Sequence, residues 1–256
     1  GLVDEGENGG TIGAMQDRDS NTDYGALAAA IKARGRELGF AAVGIARAEV
    51  GPAAARLREW LAAGCHGEMD YMARHRSETG YKRAEPAQLL PGTQSIITAR
   101  LNYRVASADS PTVLDDSERA FVSRYALGRD YHKLLRQRLQ QLAERIEQAI
   151  GPYAGRVFTD SAPVMEVELA QNSGLGWRGK HTLLLDRDAG SYFFLGEIYT
   201  DLPLPPDTPV TDHCGSCTAC LDACPTAAIT EPYRLDARLC ISYLTIELKD
   251  SIPEAL

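Results

Sequence analysis

Long apolar stretches are missing from this sequence: none approaches the roughly 18 residues that a membrane-spanning helix requires. Residues 1–13 are glycine-rich and acidic, without the basic and apolar segments of a secretory signal peptide. Internal repeats and heptads are missing too, which argues against a solenoid or a coiled coil. We therefore expect a protein without membrane association in which residues 1–20 form a disordered leader.

An excess of positive charge is also missing. The chain of 256 residues has 27 Lys and Arg against 35 Asp and Glu, a formal net charge of −8. This balance argues against wholesale nucleic-acid binding, although a local basic patch can still hold one RNA partner. Basic residues do cluster between positions 74 and 83, where a solvated loop is the simpler interpretation: Arg74, His75, Arg76, Lys82 and Arg83.

Cysteine is scarce, with 6 in the chain, but four of them form one compact run that Pro225 ends: Cys214, Cys217, Cys220 and Cys224. The spacing C-x₂-C-x₂-C-x₃-C-P is typical of bacterial [4Fe–4S] proteins, and its fourth cysteine usually binds a different cluster from the first three. A zinc site would need two separated C-x₂-C pairs. Iron–sulfur binding is therefore favoured over zinc and over a disulfide framework, and a second cluster is expected.

Cys240 is the next cysteine along the chain. A lone cysteine is commonly a small buried hydrophobe, but here the cluster begun by Cys224 still needs ligands, so ligation is favoured. Two four-cysteine clusters need more thiolates than the run and Cys240 supply, and we therefore expect the module to be C-terminally truncated. Cys65 is interpreted as a structural or exposed thiol. Because cluster thiolates must stay reduced, a cytoplasmic location is expected.

Hydrophobic periodicity predicts helices over residues 23–38, 52–63, 130–150 and 163–173. It predicts strands over 40–46, 95–103 and 156–159, and a paired hairpin of 182–186 with 191–200 across a turn at 188–190. Four prolines within 203–211 suit a rigid linker. The pattern indicates an α/β domain followed by a cysteine module.

Polar residues at element ends are the candidates for chemistry. Asp160 and Ser161 follow a predicted strand and precede a helix, so they could cap that helix or place an acid at a strand end, where α/β folds put sites. His132 could transfer protons or bind a metal, or simply hydrogen-bond at a helix start. Residues 174–182 contain G-x-G-x-x-G in the wrong order of elements for a dinucleotide site. A loop that approaches a large planar ligand and a tight turn around a core Trp177 both stay open.

Taken together, the segments resemble the epoxyqueuosine reductases, cobalamin-dependent iron–sulfur enzymes that complete queuosine synthesis on tRNA. The resemblance covers the chain from about Tyr24 onward. It rests on these segments in this order: Gly-Glu-Met-Asp-Tyr-Met (67–72), Leu-Leu-Pro-Gly-Thr (89–93), Leu-Asn-Tyr (101–103), Arg-Tyr-Ala-x-Gly-Arg-Asp-Tyr-His (124–132), Asp-Ser-Ala-Pro-Val (160–164), Gly-Leu-Gly-Trp-x-Gly-Lys-x-Thr-Leu-Leu (174–184), the cysteine run and Cys-Ile-Ser-Tyr-Leu-Thr-Ile-Glu (240–247).

The resemblance implies an α+β protein. A cobalamin-binding α/β domain of the nitroreductase and reductive-dehalogenase type would span residues 21–202. A ferredoxin-like module for two [4Fe–4S] clusters, incomplete here, would span 203–256. The D-x-H-x-x-G cobalamin motif is missing around Asp130 and His132, so base-off cobalamin binding fits the resemblance better than a histidine ligand.

The resemblance also implies roles for individual residues. Asp160 matches the proton donor. Cys214, Cys217 and Cys220 would bind one cluster, and Cys224 and Cys240 the other. Segments expected around the corrin or the modified base contain Arg83, Tyr103, Gly176, Trp177, Gly179, Lys180, Thr182 and Ser242.

The implied reaction is reduction of epoxyqueuosine at the tRNA wobble position, with electrons passing from the clusters to cobalamin. The implied partners are a tRNA anticodon stem-loop and an external electron donor, with the protein acting as a monomer. Two alternatives are a plain iron–sulfur electron-transfer protein and a reductive dehalogenase acting on a small molecule.

Overall fold

A computed structural model describes residues 22–77, 80–104, 108–160 and 162–256. The expected leader and Ser161 lie outside these residues. The strands are β1 (Ala42–Arg47), β2 (Ser95–Asn102), β3 (Gly155–Thr159), β4 (Trp177–Arg178), β5 (Leu184–Leu185) and β6 (Phe193–Thr200). The helices are α1 (Tyr24–Glu37), α2 (Ala53–Ala62), α3 (Pro86–Leu89), α4 (Ser110–Leu114), α5 (Tyr131–Ile150), α6 (Glu166–Asn172), α7 (Ala219–Ala223) and α8 (Ile241–Ile246). Short 3₁₀ helices cover Asp70–Met72, Lys82–Ala84, Arg124–Ala126 and Ala237–Leu239.

The central sheet has the order β1-β2-β6-β3, and each neighbouring pair is antiparallel. Helices α1 and α5 pack on one face, and α6 packs on the other. Coverage on both faces explains why β2 is buried along almost its whole length, including its polar residues Ser95, Thr98 and Arg100. The predicted α+β class is confirmed.

Helix α5 forms most of the core on its face of the sheet. Asp130 caps its start by accepting a hydrogen bond from the His132 N–H, and Gly151 ends it with φ +80°. Its apolar stripe is buried against the sheet. The approach is close at Gly196 of β6, where an added Cβ would lie only 2.7 Å from Leu139 Cδ1. The fully buried members of the stripe are Leu135, Leu139, Leu142 and Ile146.

The predicted hairpin is wrong. The segments 182–186 and 191–200 do not pair: β5 pairs with β4, while β6 lies between β2 and β3. The turn between them forms only an isolated bridge from Asp186 to Gly190, and Asp186 is held by an ion pair to Arg100 of 2.6 Å. A strand as apolar as β6 gains more burial at the sheet centre than in an edge hairpin.

Helix α6 also begins later than its pattern predicts. Its N-cap position is taken by Met165, so it starts at Glu166 and not near Pro163. Asp160 therefore does not cap this helix, and the capping interpretation is wrong for that residue.

The proline-rich segment 203–211 is fixed to the sheet domain. Leu202 and Leu204 are buried in the main core. Asp207 accepts a hydrogen bond of 2.8 Å from the Ile45 N–H and forms an ion pair with Lys32. The connection to the cysteine module is thus held by packing and by hydrogen bonds.

The cysteine module docks on residues 60–69. Trp60 Nε1 donates to the Leu235 carbonyl at 2.6 Å, and the Ala237 N–H donates to the carbonyl of Cys65 at 2.9 Å. Ala237, Tyr243 and Leu244 form a small core with Trp60 and Met69 around them. Cys65 itself is a buried free thiol at this junction. Within the described ranges, none of the helices combines the length and apolarity needed to cross a membrane.

Candidate active site

Asp160 directly follows β3, and its side chain is half exposed (50%). The Tyr131 hydroxyl donates to Asp160 Oδ2 at 2.9 Å, and His132 Nε2 lies 2.7 Å from the same oxygen. Both partners lie in the first turn of α5, so the capped start of that helix fixes them opposite the strand end. The arrangement presents a carboxyl group with a defined orientation at the edge of the sheet.

The imidazole of His132 is held on both sides. Its Nδ1 lies 3.0 Å from Asp130 Oδ1, which also accepts the His132 backbone N–H. Its ring stacks on Tyr131 at 3.9 Å, and Tyr131 stacks on Phe194 of β6 at 3.8 Å with an interplanar angle of 1°. Each imidazole nitrogen thus faces a carboxylate, an arrangement suited to proton exchange. Sequence analysis left this role open beside simple hydrogen bonding at the helix start.

A cavity of about 220 Å³ opens beside Asp160. Tyr103 contributes to its wall, and its ring packs 4.5 Å from that of Phe194. Burial raises the pKa of the Tyr103 phenol. Burial, followed by the nearby charge of Asp160, raises the pKa of Tyr131. Both phenols therefore stay protonated donors at neutral pH. Further wall residues are Glu166, Val167, Leu183, Leu184, Ser191, Phe193 and Leu195.

Two further acids interact with each other at this site: Glu166, which lines the cavity, and Glu197 in β6. Burial, followed by the charge of Asp160, raises the pKa of Glu166 to about 8. Glu197 in β6 is completely buried, and its carboxyl oxygens have no hydrogen-bond partner among the described residues. Burial and then Glu166 raise the pKa of Glu197 well above its usual value. Sequence analysis missed both residues, although a glutamate inside the apolar β6 segment was the available signal.

Arg83 sits near the same group. Its Nη1 donates to the Val164 carbonyl at 3.2 Å. Burial lowers the pKa of its guanidinium. The positive charge of Arg83 opposes, without cancelling, the rise in the pKa of Glu166. Of the residues predicted to surround a corrin or base, Tyr103 lines the cavity beside Asp160, and Arg83 interacts electrostatically with Glu166 in its wall.

The loop 176–182 is built around a short hairpin. Gly176 has φ +157°, and an added Cβ would lie 2.2 Å from the Leu185 carbonyl oxygen. A Cβ on Gly179 would meet the His181 ring at 2.7 Å. Both glycines are thus required by hairpin packing. Trp177 packs edge-on against His213 at 4.9 Å, and its buried Nε1 has no hydrogen-bond partner within the described part of the chain.

Lys180 contacts the cysteine run directly. Its Nζ donates to the carbonyls of Gly215 and Cys217 at 2.7 and 2.8 Å. The Lys180 carbonyl accepts the Tyr233 N–H at 2.8 Å. The Tyr233 hydroxyl donates to Asp212, and Asp212 accepts the Cys214 N–H. The loop and the first cysteine turn are therefore held together as one unit.

All six cysteines lie within the described residues, and none of them forms a disulfide. The Cys224 sulfur accepts the Ala228 N–H at 3.3 Å. Burial raises the pKa of this thiol, but the backbone N–H groups of Ile229 and Ala228 outweigh it, so the net shift is downward. A lowered pKa favours the thiolate, the form that binds iron. Cys240 is partly buried at the N-cap position of α8.

A larger groove of about 510 Å³ separates α2 from the loop 231–235. Thr182 and Met165 line it, and so do Arg56 and Arg178, which both pair with the buried Glu168 at 2.8 and 3.1 Å. The groove and the smaller cavity lie on either side of the 182–184 segment. Ser242 is exposed on α8 and lines neither of these two spaces as described.

The antiparallel sheet domain with its cysteine module defines an iron–sulfur protein of the fold shared with reductive dehalogenases. One solved reductive dehalogenase, described as suggesting a mechanism for B12-dependent dehalogenation, is 21% identical with a TM-score of 0.58, over 94% of this chain and 32% of its own. A family described as a 4Fe-4S double cluster binding domain matches residues 213–256. A second family, described as epoxyqueuosine reductase QueG, DUF1730, matches residues 83–161.

The chain belongs to the epoxyqueuosine reductase family. The epoxyqueuosine reductase of Xanthomonas campestris is 57% identical over 95% of this chain and 67% of its own length. Those of Burkholderia pseudomallei and Escherichia coli are 57% and 53% identical, over 95% and 91% of this chain. The chain spans 64% and 61% of these two relatives. A crystal structure of epoxyqueuosine reductase with an epoxyqueuosine-modified tRNA-Tyr stem loop matches with TM-score 0.78 and 30% identity, over 90% of this chain and 60% of that one.

Proposed function

We propose that this protein reduces epoxyqueuosine to queuosine at the wobble position of a tRNA anticodon, with Asp160 as the proton donor. The main support is the Asp160 carboxyl group, which Tyr131 and His132 hold beside a cavity lined by aromatic residues. The same chain also matches a double-cluster binding family. Several relatives above 50% identity are epoxyqueuosine reductases. We propose that residues 21–202 form the catalytic domain and residues 203–256 the ferredoxin-like module.

The cysteines divide between two clusters in this proposal. Cys214, Cys217 and Cys220 bind one cluster, and Cys224 and Cys240 contribute to the other. The Lys180 contacts hold the turn of Cys214 and Cys217, and the lowered pKa of Cys224 favours the thiolate that a cluster ligand needs; the division itself follows the spacing of the run. Reduced thiols fit a cytoplasmic protein, and we propose that it acts as a monomer with an external electron donor.

Cobalamin is the proposed second cofactor, and the residues present fit it. The groove that Thr182 and residues 231–235 line offers about 510 Å³ for a large planar ring next to the cysteine module. The unpartnered Trp177 Nε1 is a buried donor close to segment 182–184. His132 already has a carboxylate at each nitrogen, which agrees with base-off binding without this histidine as a ligand. Of the other residues expected around the corrin or the modified base, Tyr103 lines the cavity and Thr182 lines the groove, which supports contacts from these two. Arg83, Gly176, Gly179, Lys180 and Ser242 line neither space as described.

When bound and reduced, cobalamin supplies the low-potential electrons that open the epoxide. This chain supplies the proton. The described hydrogen bonds to the Asp160 carboxyl group meet at Oδ2, which leaves Oδ1 for the substrate oxygen. Protonation of that oxygen as its bond to carbon breaks makes it a better leaving group, and a positioned acid contributes about 10²–10⁴ in rate. The Tyr131 hydroxyl keeps the carboxyl oriented.

The modified base lies in the single-stranded anticodon loop, where bases can be splayed out of their stack. To reach this cavity, the base must leave its stack in this way. Arg74, His75 and Arg76 are exposed, and Arg76 stacks over Tyr81 at 5.4 Å. Such a patch suits RNA phosphates even though the chain is acidic overall.

The test uses the protein loaded with cobalamin and iron–sulfur clusters, a chemical reductant and an RNA stem-loop carrying epoxyqueuosine. Mass spectrometry of the digested RNA should show conversion to queuosine. Conversion of a haloaromatic compound without conversion of the RNA would instead support a dehalogenase. Cluster reduction without cobalamin binding or turnover of either substrate would support an electron carrier. Either of these results contradicts the proposal.

A further inference from the structure

The proposed reaction needs more protons than Asp160 holds. Reducing an epoxide to an alkene breaks two C–O bonds, forms one C=C bond and consumes two electrons and two protons, with the oxygen leaving as water. The electrons come from the external donor through the clusters. A carboxyl group carries one proton, so Asp160 must be recharged during or after each turnover. The inference that follows rests on the proposed function.

We propose that His132 is a relay residue that returns protons from solvent to Asp160, held in position by Asp130. The 2.7 Å contact from His132 Nε2 to Asp160 Oδ2 is short enough for direct proton transfer. The His132 side chain is 48% exposed, so water reaches the ring while it touches the acid. His132 acts through Asp160 and needs no contact with the substrate.

One hydrogen bond serves both protonation states of the pair. In the charged state the imidazolium Nε2–H donates to the Asp160 carboxylate. After transfer, the Asp160 carboxyl donates to neutral Nε2. Asp130 Oδ1 accepts the Nδ1–H in both states, so it keeps the ring and its tautomer fixed. This step recharges Oδ2 without movement of the imidazole, and a half-turn of the carboxyl group then brings the proton to the position that faces the substrate oxygen.

The other polar neighbours are less suited to this relay. Tyr131 donates to Asp160, but its raised phenol pKa makes it a poor carrier of a mobile proton. Glu166 lines the same cavity and holds a proton near neutrality, but it is more buried than the imidazole. The charged groups that contact His132 are Asp130 at Nδ1 and Asp160 at Nε2. Lys133 pairs with Asp130, and Glu166 in α6 interacts electrostatically with Asp160.

His132→Gln in the loaded holoenzyme tests the relay, because glutamine keeps a donor and an acceptor but carries no mobile proton. The expected result is a fall in kcat of about 10-fold or more with an unchanged KM for the modified stem-loop. The pH profile should also lose the limb that the imidazole contributes. Added imidazole should restore the rate of His132→Gln in proportion to its concentration and leave Asp160→Asn inactive. Arg136→Gln, on the exposed face of α5, is the matched control and should keep the wild-type rate.

A second measurement needs no turnover. Nuclear magnetic resonance of labelled histidine should show a shifted His132 Nε2 resonance in Asp160→Asn, because the mutation replaces the carboxylate that Nε2 contacts with an amide. An unchanged His132 resonance would overturn the proposal, as would a wild-type rate and pH profile in His132→Gln. A rate loss in Glu166→Gln that imidazole rescues, with His132→Gln normal, would assign the relay to Glu166 instead. Failure of the wild type to convert the RNA would contradict the proposed function and is distinguishable from all of these.

Discussion

Glu166 makes the stability of this protein depend on pH in a direction opposite to that of most carboxylates. Its pKa is raised from 4.5 to about 8 in the folded chain. A raised pKa means that the folded state loses stability as pH rises, because the unfolded chain ionises this carboxyl first. The contribution of Glu166 is fully present below a pH of about 4.5 and is lost as pH rises to about 8. Integrating the shift gives a loss of about 3 kcal/mol between about pH 5 and about pH 8.

Glu166→Gln removes this ionisation and keeps the shape of the side chain. Urea unfolding at several pH values, with wild type and variant measured side by side, gives the difference in free energy of unfolding. The variant should gain about 3 kcal/mol relative to the wild type across that pH range. Glu144→Gln, an exposed residue on α5, controls for the loss of one carboxylate. If the free energy of unfolding changed with pH in the same way for wild type and Glu166→Gln, Glu166 would not have a raised pKa in the folded chain.

Two further variants test the packing of the domain and its contact with the cysteine module. Leu139→Ala should lower the free energy of unfolding by about 2–5 kcal/mol in urea, because Leu139 is fully buried over Gly196; a loss below about 1 kcal/mol would contradict this packing. Lys180→Met removes the hydrogen bonds to the Gly215 and Cys217 carbonyls, so iron content after reconstitution should fall and the midpoint potential of the first cluster should shift. Lys180→Arg should change the iron content and the midpoint potential less. If Lys180→Met kept the wild-type iron content and potential, Lys180 would have no role in holding the cluster.

Local structure was predictable where capping and periodicity agree. Periodicity predicts helices over 23–38 and 130–150, and α1 and α5 lie there with Asp23 and Asp130 as their N-caps. Strand pairing was not predictable in the same way. The partners of β6 lie far along the chain, and the turn 188–190 offered a hairpin that the buried sheet centre outweighs.

The candidate site was predictable in part. The position of Asp160 at a strand end follows from the sequence pattern, but its contacts with Tyr131 and His132 depend on how α5 packs across β6. Glu166 and Glu197 were missed because periodicity treats a charged residue as exposed, whereas burial in this fold raises their pKa. Lys180 stands in a segment expected around the corrin or the modified base, and the structure places its ammonium on the cysteine turn.

The role of Asp160 as proton donor is tested most directly by the turnover of Asp160→Asn on the epoxyqueuosine stem-loop. The variant holoenzyme must have the same cobalamin and iron content as the wild type. Asparagine keeps the size of the side chain and removes the transferable proton. We expect a rate lower by at least ~10²-fold, with unchanged RNA binding. A near-wild-type rate in Asp160→Asn would contradict the central claim that Asp160 delivers the proton.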